Sequence, residues 1–318
     1  MDAITDVGGI AVGSVQDRTR CTGCTVVLSD PPAVVGADVR GPAPATRETD
    51  LCRPGTLVER ADAVFLTGGS AFGLDAAAGV MGFLHAQSRG FPTATISVPI
   101  VPAAAIYDLA IGEVGWPDAA MAYEACRAAS TKGVEQGSAG AGTGAVVGRL
   151  LGPGGVTKGG LGTASVRSAG VTVGALVVVN AVGNVVDPAT GRIVAGARSP
   201  ETGKFVPAGE VLEGTPQPRG STVIGVVATD ARLDSMQTNQ LAAAAQDGLA
   251  RCIMPAHTVY DGDAIFTLST GRVSVEWPRV QPALVWAAVT AVERAVLNAV
   301  LRATSLGGVP ACRDLPNA

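Results

Sequence analysis

The chain has 318 residues, of which 47% are apolar and 16% charged, and its formal net charge at pH 7 is −4. This composition supports a sizeable core, and the acidic balance argues against a general nucleic-acid or anionic-membrane surface. Residues 1–10 carry no basic segment, and no clean apolar run reaches the roughly 20 residues that a membrane helix needs. We therefore expect a single-domain cytoplasmic protein that partners with neither nucleic acid nor membrane.

Apolar runs typical of strands and periodic runs typical of helices follow one another along the chain. Strands are predicted over residues 24–28, 33–37, 63–67, 94–101, 171–180 and 223–228. Helices are predicted over residues 71–88, 234–252 and 282–303, the second of which begins at the capping residue Asp234. Residues 200–220, rich in proline, glycine and charge, are predicted to be an exposed loop. Long apolar strands with helices outside them indicate a layered α/β or α+β protein.

Two features of the sequence invite cofactor interpretations. The segments 68–70 and 140–144 are rich in glycine, but neither a Walker string, GxxxxGK[ST], nor a complete GxGxxG fingerprint is present. Cys21 and Cys24 have the spacing of a metal-binding pair, yet there is no second CxxC and the chain has only two histidines. We expect no nucleotide, no metal and no other cofactor.

The most specific motifs lie in the last third of the chain. They are STVIGVVATDA at residues 221–231, PAHT at residues 255–258 and DGDAIF at residues 261–266. Further motifs precede them: ITDVGGI (4–10), TRETD (46–50), GGSAFGL (68–74), KGGLGTAS (158–165) and GNVVDP (183–188). In this order, and over nearly the whole chain, they resemble the self-cleaving aminopeptidase/amidase family of L-aminopeptidase/D-esterases, β-peptidyl aminopeptidases and nylon-oligomer hydrolases.

This resemblance implies an α+β fold, a four-layer αββα sandwich, made as one inactive precursor that cuts its own backbone. The residue after the cut becomes an N-terminal nucleophile. Alignment on the strand at 223–228 places the cut between Ser221 and Thr222. The single hydrolase domain, residues 1–318, would then consist of a larger chain, 1–221, and a smaller chain, 222–318. Relatives commonly have Asn where this chain has Ser221, and Ser221 is itself a hydroxyl nucleophile and the alternative to Thr222.

An N-terminal threonine needs no histidine as its base. Its own α-amine, with a pKa of about 7.7–8.0, can take the proton of the hydroxyl. The sequence has no GxSxG elbow, which disfavours a Ser-His-Asp triad. By resemblance, Asp261 and Asp263 would line Thr222, where two carboxylates would orient the new ammonium.

The resemblance implies three further site residues. Asn180, at the end of an apolar strand, would contribute an amide donor to the oxyanion hole. Tyr107 would assist the tetrahedral intermediate. Lys158 would lower the pKa of the nucleophile, and Arg149 is the alternative for this cation.

The expected function is that of a self-activated N-terminal-threonine amidohydrolase or aminopeptidase that works through an acyl-enzyme. Its substrates would be amides or esters of short peptides, amino-acid amides or ω-amino-acid (nylon-type) oligomers. Its partners would be this substrate and further copies of the chain, assembled as a tetramer of cleaved heterodimers. Two alternatives stay open: an acyltransferase on the same fold, and a small-molecule-binding relative that never cuts itself.

Overall fold

The computed structural model describes residues 2–212 and 220–315. Within these ranges the α-helices are α1 (Ala77–Ala86), α2 (Ala119–Arg127), α3 (Ala208–Leu212), α4 (Ser235–Cys252) and α5 (Trp277–Leu301). The strands are β1 (Ile10–Asp17), β2 (Thr22–Val39), β3 (Thr46–Arg47), β4 (Arg60–Thr67), β5 (Phe91–Pro92), β6 (Ser97–Val98), β7 (Ala103–Ala105), β8 (Val146–Val147), β9 (Thr157–Lys158), β10 (Gly160–Ser168), β11 (Val171–Val179), β12 (Asn184–Val186), β13 (Ile193–Ala195), β14 (Ile224–Ala231), β15 (Ile253–Met254) and β16 (Ala264–Val273).

The long strand β2 connects two sheet layers. Its residues 22–29 pair with β1, and its residues 24–28 also pair with β4, which leads on to β7 and β3. Its residues 34–39 pair with β16, which leads on to β14, β11 and β10. The register with β4 shifts between Leu28 and Ala33, where β2 passes from one layer to the other. Because β14 and β16 run parallel, both begin at the same edge of their layer.

Three apolar clusters separate four layers of secondary structure. Alternate residues of β11 face different clusters: Val177 and Val179 pack with α4 and α5, whereas Leu176 and Val178 pack between the two sheet layers. A third cluster packs α1 and α2 on the outside of the layer that contains β1 and β4. The layers thus follow the order helix, sheet, sheet, helix, and the predicted four-layer αββα sandwich is confirmed.

The helices agree with the sequence prediction to different degrees. α4 is nearly as predicted, because Asp234 caps it and accepts a hydrogen bond from the backbone N–H of Gln237. Of the helix predicted over 71–88, Ser70–Ala76 is a 3-10 helix and only Ala77–Ala86 is α-helical. α5 begins at Trp277, earlier than predicted, and continues through Pro282. The short helices α2 and α3 are absent from the prediction, and α3 lies in the predicted loop.

The strand predicted over residues 94–101 is wrong. Only β6 is extended there, and β7 starts beyond it. Pro99 interrupts the apolar run and Pro102 follows it, and proline lacks the N–H that a sheet strand donates. Residues 213–219 of the predicted loop at 200–220 lie outside the described residues.

α5 is long and apolar enough, by length and composition, to cross a membrane. Half of its most apolar window is nevertheless buried inside the protein. Nine of its residues, Leu284 and Val292 among them, belong to the cluster shared with α4 and β11. A helix in a protein core has the same composition, so the packing of α5 on the sheet explains why it is so apolar. The cytoplasmic location stays a prediction.

Candidate active site

Thr222 lies two residues before β14, at the edge of the layer where the parallel strands β14 and β16 both begin. It is 4% exposed. Its backbone N–H donates a hydrogen bond of 2.8 Å to the carbonyl oxygen of Asn180, the residue that follows β11. Its hydroxyl donates to the carbonyl oxygen of Ser221, with an oxygen–oxygen distance of 2.5 Å. The Thr222 hydroxyl therefore faces the bond that the sequence predicts to be cut.

Ser221 is held by the segment before β16. Its N–H donates to the carbonyl oxygen of Tyr260 at 3.2 Å, and its carbonyl oxygen accepts from the N–H of Gly262 at 3.1 Å. The Ser221 hydroxyl is buried and has no hydrogen-bond partner among the described residues. As the nucleophile, Ser221 would have to attack the carbonyl of Gly220, whereas the Thr222 hydroxyl is already hydrogen-bonded to the carbonyl that it would attack.

The predicted acidic pair lies next to this bond. Ser221 forms a parallel bridge with Asp261, and Asp263 Oδ1 accepts a hydrogen bond of 2.7 Å from the backbone N–H of Val223. Asp261 Oδ2 accepts from the backbone N–H and the hydroxyl of Thr258, at 2.8 and 2.6 Å. Both carboxylates are nearly inaccessible, and both are bonded to neighbours of Thr222 or to the preceding turn.

The charge of Asp263 affects the protonation of Asp261. Burial, and after it the negative charge of Asp263, raises the pKa of Asp261 to about 6. The hydrogen bonds from Thr258 oppose this shift because they favour the ionised form. Asp261 is therefore mostly ionised at pH 7 and takes up a proton near pH 6. The pair brings negative charge to the place where a cut would create an ammonium.

Asn180 belongs to a polar cluster with Tyr107 and Arg149. Its side-chain Oδ1 accepts from the backbone N–H of Val146 at 3.0 Å and from the Arg149 guanidinium at 3.2 Å. These two donors identify the other side-chain atom as Nδ2, which donates to the Tyr107 carbonyl at 3.2 Å. Arg149 also donates to that carbonyl at 3.1 Å, and its guanidinium lies 5.9 Å from the centre of the Tyr107 ring.

Lys158 is completely buried behind this cluster. Its Nζ donates to the carbonyl oxygens of Thr143 and Ala145, each at 2.7 Å. The next residue, Val146, donates its N–H to Asn180. Lys158 therefore reaches the site through the segment 143–146, and none of its hydrogen bonds in the described part of the chain goes to a predicted site residue.

The two candidate cations differ in contact and in charge state. Burial lowers the pKa of Lys158 to about 7, although the neighbouring Cys21 and Asp108 oppose this shift. Burial also lowers the pKa of Arg149, to about 10, which leaves Arg149 protonated at neutral pH. Arg149 thus keeps its charge and contacts Asn180, whereas Lys158 is half neutralised near pH 7 and supports the backbone.

A cavity of about 190 Å³ opens beside Thr222. Its wall includes three alanines and two tyrosines: Ala43, Ala45, Ala105, Tyr107 and Tyr260. None of the described residues that line this cavity carries a charged side chain. A larger cavity, of about 330 Å³, lies between Leu57, Asp62 and Phe91, and no predicted site residue lines it. The cavity beside Thr222 is therefore the one that fits the predicted chemistry.

One residue of this site has no role in the sequence analysis. His257, within the PAHT motif, has Nδ1 2.8 Å from Asp263 Oδ2, and its backbone N–H donates to the same oxygen at 3.3 Å. The PAHT motif is part of the family resemblance and so draws attention to this segment. The contact between His257 and Asp263, however, depends on a left-handed backbone at His257, with φ of 56°. No spacing rule predicts that conformation for a histidine.

The sequence profile of peptidase family S58 matches residues 2–312. An uncharacterized aminopeptidase of Mycobacterium tuberculosis is 44% identical over 347 residues, with 99% of this chain and 98% of the relative covered. A 6-aminohexanoate-oligomer endohydrolase of a Kocuria species is 30% identical over 278 residues, with 85% of this chain and 75% of the relative covered.

Among solved structures, an L-aminopeptidase D-Ala-esterase/amidase from Ochrobactrum anthropi, a variant of the Ntn-hydrolase fold, has the same architecture. The match has a TM-score of 0.73 at 25% identity and covers 97% of this chain and 88% of that one. The family match extends over nearly the whole chain, and the relatives' names agree on hydrolysis of peptide or other amide bonds. The chain thus belongs to peptidase family S58 and is a hydrolase of peptide or amide bonds.

Proposed function

We propose that this protein cuts its own Ser221–Thr222 bond and that Thr222, then N-terminal, hydrolyses amides of small, uncharged acyl groups. The observation that carries the proposal is the 2.5 Å contact between Thr222 Oγ1 and the carbonyl oxygen of Ser221. The nucleophile candidate and the peptide bond already face each other in the continuous chain. The family match supports amide hydrolysis, and the geometry supports Thr222 as the residue that performs it.

The cut would begin as a shift of the acyl group from nitrogen to oxygen. Thr222 Oγ1 attacks the carbonyl carbon of Ser221, the bond to the Thr222 nitrogen breaks, and that nitrogen takes up the hydroxyl proton. The N–H of Gly262, at 3.1 Å, faces the oxygen that becomes negative. Water then hydrolyses the ester and leaves a Ser221 carboxylate and a free Thr222 hydroxyl.

Turnover would use the amine that the cut produces. A primary α-amine has a pKa of about 7.7–8.0, so near neutral pH it can accept the Oγ1 proton during attack on the substrate. The same proton then passes to the leaving amine, and water releases the acyl group. The Asn180 carbonyl, which accepts from the Thr222 nitrogen at 2.8 Å, would keep the amine oriented.

Asn180 would also stabilise the negative oxygen of the substrate. Its Oδ1 is fixed by Val146 and Arg149, so the Nδ2 group is the donor side of the amide. One Nδ2 proton goes to the Tyr107 carbonyl, and the other is available for an oxyanion. In this arrangement Arg149 supplies the positive charge beside the oxyanion site, and Lys158 supports the segment 143–146.

The cavity favours a small, uncharged acyl group. Ala43, Ala45 and Ala105 leave room for a few carbon atoms, and the described lining offers no carboxylate to an ammonium. A substrate ammonium would lose its water there without gaining an ion pair, which is costly. Internal amide bonds of a short chain, and amides whose acyl group has a blocked amino group, fit this cavity better than amides whose acyl group carries a free amino group. The name of the Kocuria relative supports linear amides as the class.

The test combines intact mass, N-terminal sequencing and an amidase assay. The smaller fragment should begin Thr-Val-Ile-Gly-Val. Thr222→Ala should stay uncut and inactive, and Thr222→Ser should be partly cut because it keeps a hydroxyl. Ser221→Ala is the matched control: it removes the neighbouring hydroxyl, which has no described partner, and should still be cut. A fragment that begins at Ser221, or full activity in the uncut chain, would contradict the proposal.

Two further outcomes identify the alternatives. A cut protein that passes its acyl group to an added amine but not to water would be an acyltransferase. A wild-type chain that is neither cut nor active would be a binding relative.

A further inference from the structure

His257 makes two contacts with a single oxygen of Asp263. Its ring Nδ1 is 2.8 Å from Asp263 Oδ2, and its backbone N–H donates to the same atom at 3.3 Å. The other oxygen, Oδ1, accepts the N–H of Val223, the residue after Thr222, at 2.7 Å. The Asp263 side chain is only 3% exposed. One buried carboxylate thus joins the turn at His257 to the segment that carries Thr222.

The backbone of His257 is in an unfavourable conformation. Its φ is 56°, in the left-handed region that residues with a side chain seldom adopt. In this conformation the backbone N–H and the ring both face Asp263. Local strain of this kind persists only where the surrounding structure imposes it, and it is concentrated at functional sites.

The hydrogen bonds of the ring indicate a donor rather than a base. His257 Nε2 is buried and has no hydrogen-bond partner among the described residues. A neutral ring with its proton on Nδ1 donates a hydrogen bond to Asp263, and only the lone pair of Nε2 then has no partner. His257 therefore fixes a carboxylate, and its ring is not bonded to Thr222.

We infer that His257 is a positioning residue: it locks the Asp263 carboxylate in the orientation that holds Val223, and through Val223 it places the Thr222 hydroxyl. The inference rests on the proposed role of Thr222. Without the Nδ1 donor, Asp263 Oδ2 keeps only the longer backbone contact. The carboxylate can then rotate, and Oδ1 no longer fixes the start of β14.

The consequence differs for binding and for chemistry. His257 does not line the cavity beside Thr222, so the KM of an amide substrate should change little. A misplaced nucleophile slows the chemical step, and an error of about 1 Å can cost on the order of 10²-fold in rate. The same displacement should lengthen the half-time of the cut, because Thr222 acts in both reactions.

Two substitutions separate the ring from the backbone. His257→Gly tolerates the left-handed conformation and keeps the N–H but removes the Nδ1 donor. His257→Asn also tolerates it, and its side-chain nitrogen takes the place of Nδ1. We expect kcat per cut molecule to fall on the order of 10²-fold in the glycine variant and to be mostly retained in the asparagine variant. His85→Asn, at the other, exposed histidine, is the control and should leave both rates unchanged.

A double-mutant cycle with Asp263→Ala, which removes both side-chain oxygens and with them the hydrogen bond to Val223, identifies the route of the effect. If His257 acts through Asp263, His257→Gly causes little further loss once Asp263 has been replaced. Full and equal losses in both backgrounds would overturn the inference, and so would wild-type rates in His257→Gly. An asparagine variant as slow as the glycine variant, with an unchanged melting temperature, would also overturn it. If the glycine variant is not cut at all, the cleavage half-time of the asparagine variant is the test. A half-time close to that of the wild type supports the inference, and an uncut asparagine variant with an unchanged melting temperature overturns it.

The outcome is separable from that of the proposed function. Thr222→Ala is assayed beside the His257 variants. Activity in Thr222→Ala contradicts the proposed function, whereas loss of activity there with full activity in His257→Gly contradicts only the role of His257.

Discussion

Asp263 is bonded to Val223 and not to Thr222: its Oδ1 accepts the Val223 N–H at 2.7 Å. The negative charge therefore lies one residue from the amine that a cut would produce, and the carboxylate also anchors the start of β14. These two roles, charge and anchoring, can be separated, because an amide oxygen accepts the same hydrogen bond without the charge.

Asp263→Asn should slow turnover far more than the cut. The variant can still hold Val223, and no free amine exists before the cut. After the cut, loss of the carboxylate lowers the pKa of the Thr222 ammonium, so the acidic limb of the kcat/KM profile should move to lower pH. Positioning and acid–base effects are worth about 10²–10⁴ in rate. The measurements are the cleavage half-time and a pH–rate profile on one amide. Equal losses in the cut and in turnover would show instead that Asp263 helps to activate the Thr222 hydroxyl.

The acyl preference is tested with paired substrates of equal length. A heptanoyl amide should have a higher kcat/KM than the 6-aminohexanoyl amide of the same chain length, because the described cavity lining offers no counter-charge to the free amine. Ala43→Leu, at an exposed position of the wall, should raise KM for the larger acyl groups and leave acetyl amides nearly unaffected. A preference for the free amine at pH 7 would show that an acidic group outside the described lining reaches the substrate.

Lys158 should make stability depend on pH. Its pKa is about 7 in the folded chain and about 10.4 when unfolded, so between these values the unfolded state binds more protons. The free energy of unfolding therefore rises with pH, by on the order of 1–2 kcal/mol from pH 7 to pH 8.5. Lys158→Met lacks the titrating group and should lack this rise. Chemical denaturation of both forms in the uncut Thr222→Ala background measures it, and parallel slopes would disprove the shift.

We expect cut molecules to associate into a tetramer of heterodimers. Several large apolar side chains remain exposed on the described chain, with Leu57 at 86%, Val114 at 75% and Val259 at 69%. Contiguous exposed apolar surface often marks a contact surface, and these side chains are the candidates for it. Light scattering at micromolar concentration should report a mass near four heterodimers, and Leu57→Lys or Val114→Lys should reduce it. A stable single heterodimer would contradict this expectation.

Sequence patterns predicted the helices and strands that depend on neighbouring residues in the chain, such as a helix cap or an apolar run. α4 follows from the cap at Asp234 and from apolar residues at helical spacing, and β14 from an uninterrupted apolar run. The strand predicted at 94–101 fails because Pro99 interrupts the apolar run and Pro102 follows it directly. The layer order is confirmed, although it came from the resemblance and not from any single periodicity.

The resemblance named the residues of the candidate site but not their contacts, and their catalytic roles stay predictions. Asn180, Tyr107 and the acidic pair lie around Thr222 as the resemblance implies. The choice between Lys158 and Arg149 depends on which loop folds over Asn180, and residue spacing does not encode that. Similarly, the role inferred for His257 depends on a backbone angle that only the surrounding structure imposes.

The position of the predicted cut within the sheet has a further consequence. β14 and β16 would belong to the smaller fragment, yet they lie between β11 and β2 of the larger one. The fragments could not separate without disrupting the middle of a sheet, so the cut protein would remain one body. Once unfolded, however, its halves would have to find each other by diffusion, and refolding would become a second-order process. Activation would then be irreversible, and the working life of each mature molecule would be set by its rate of unfolding.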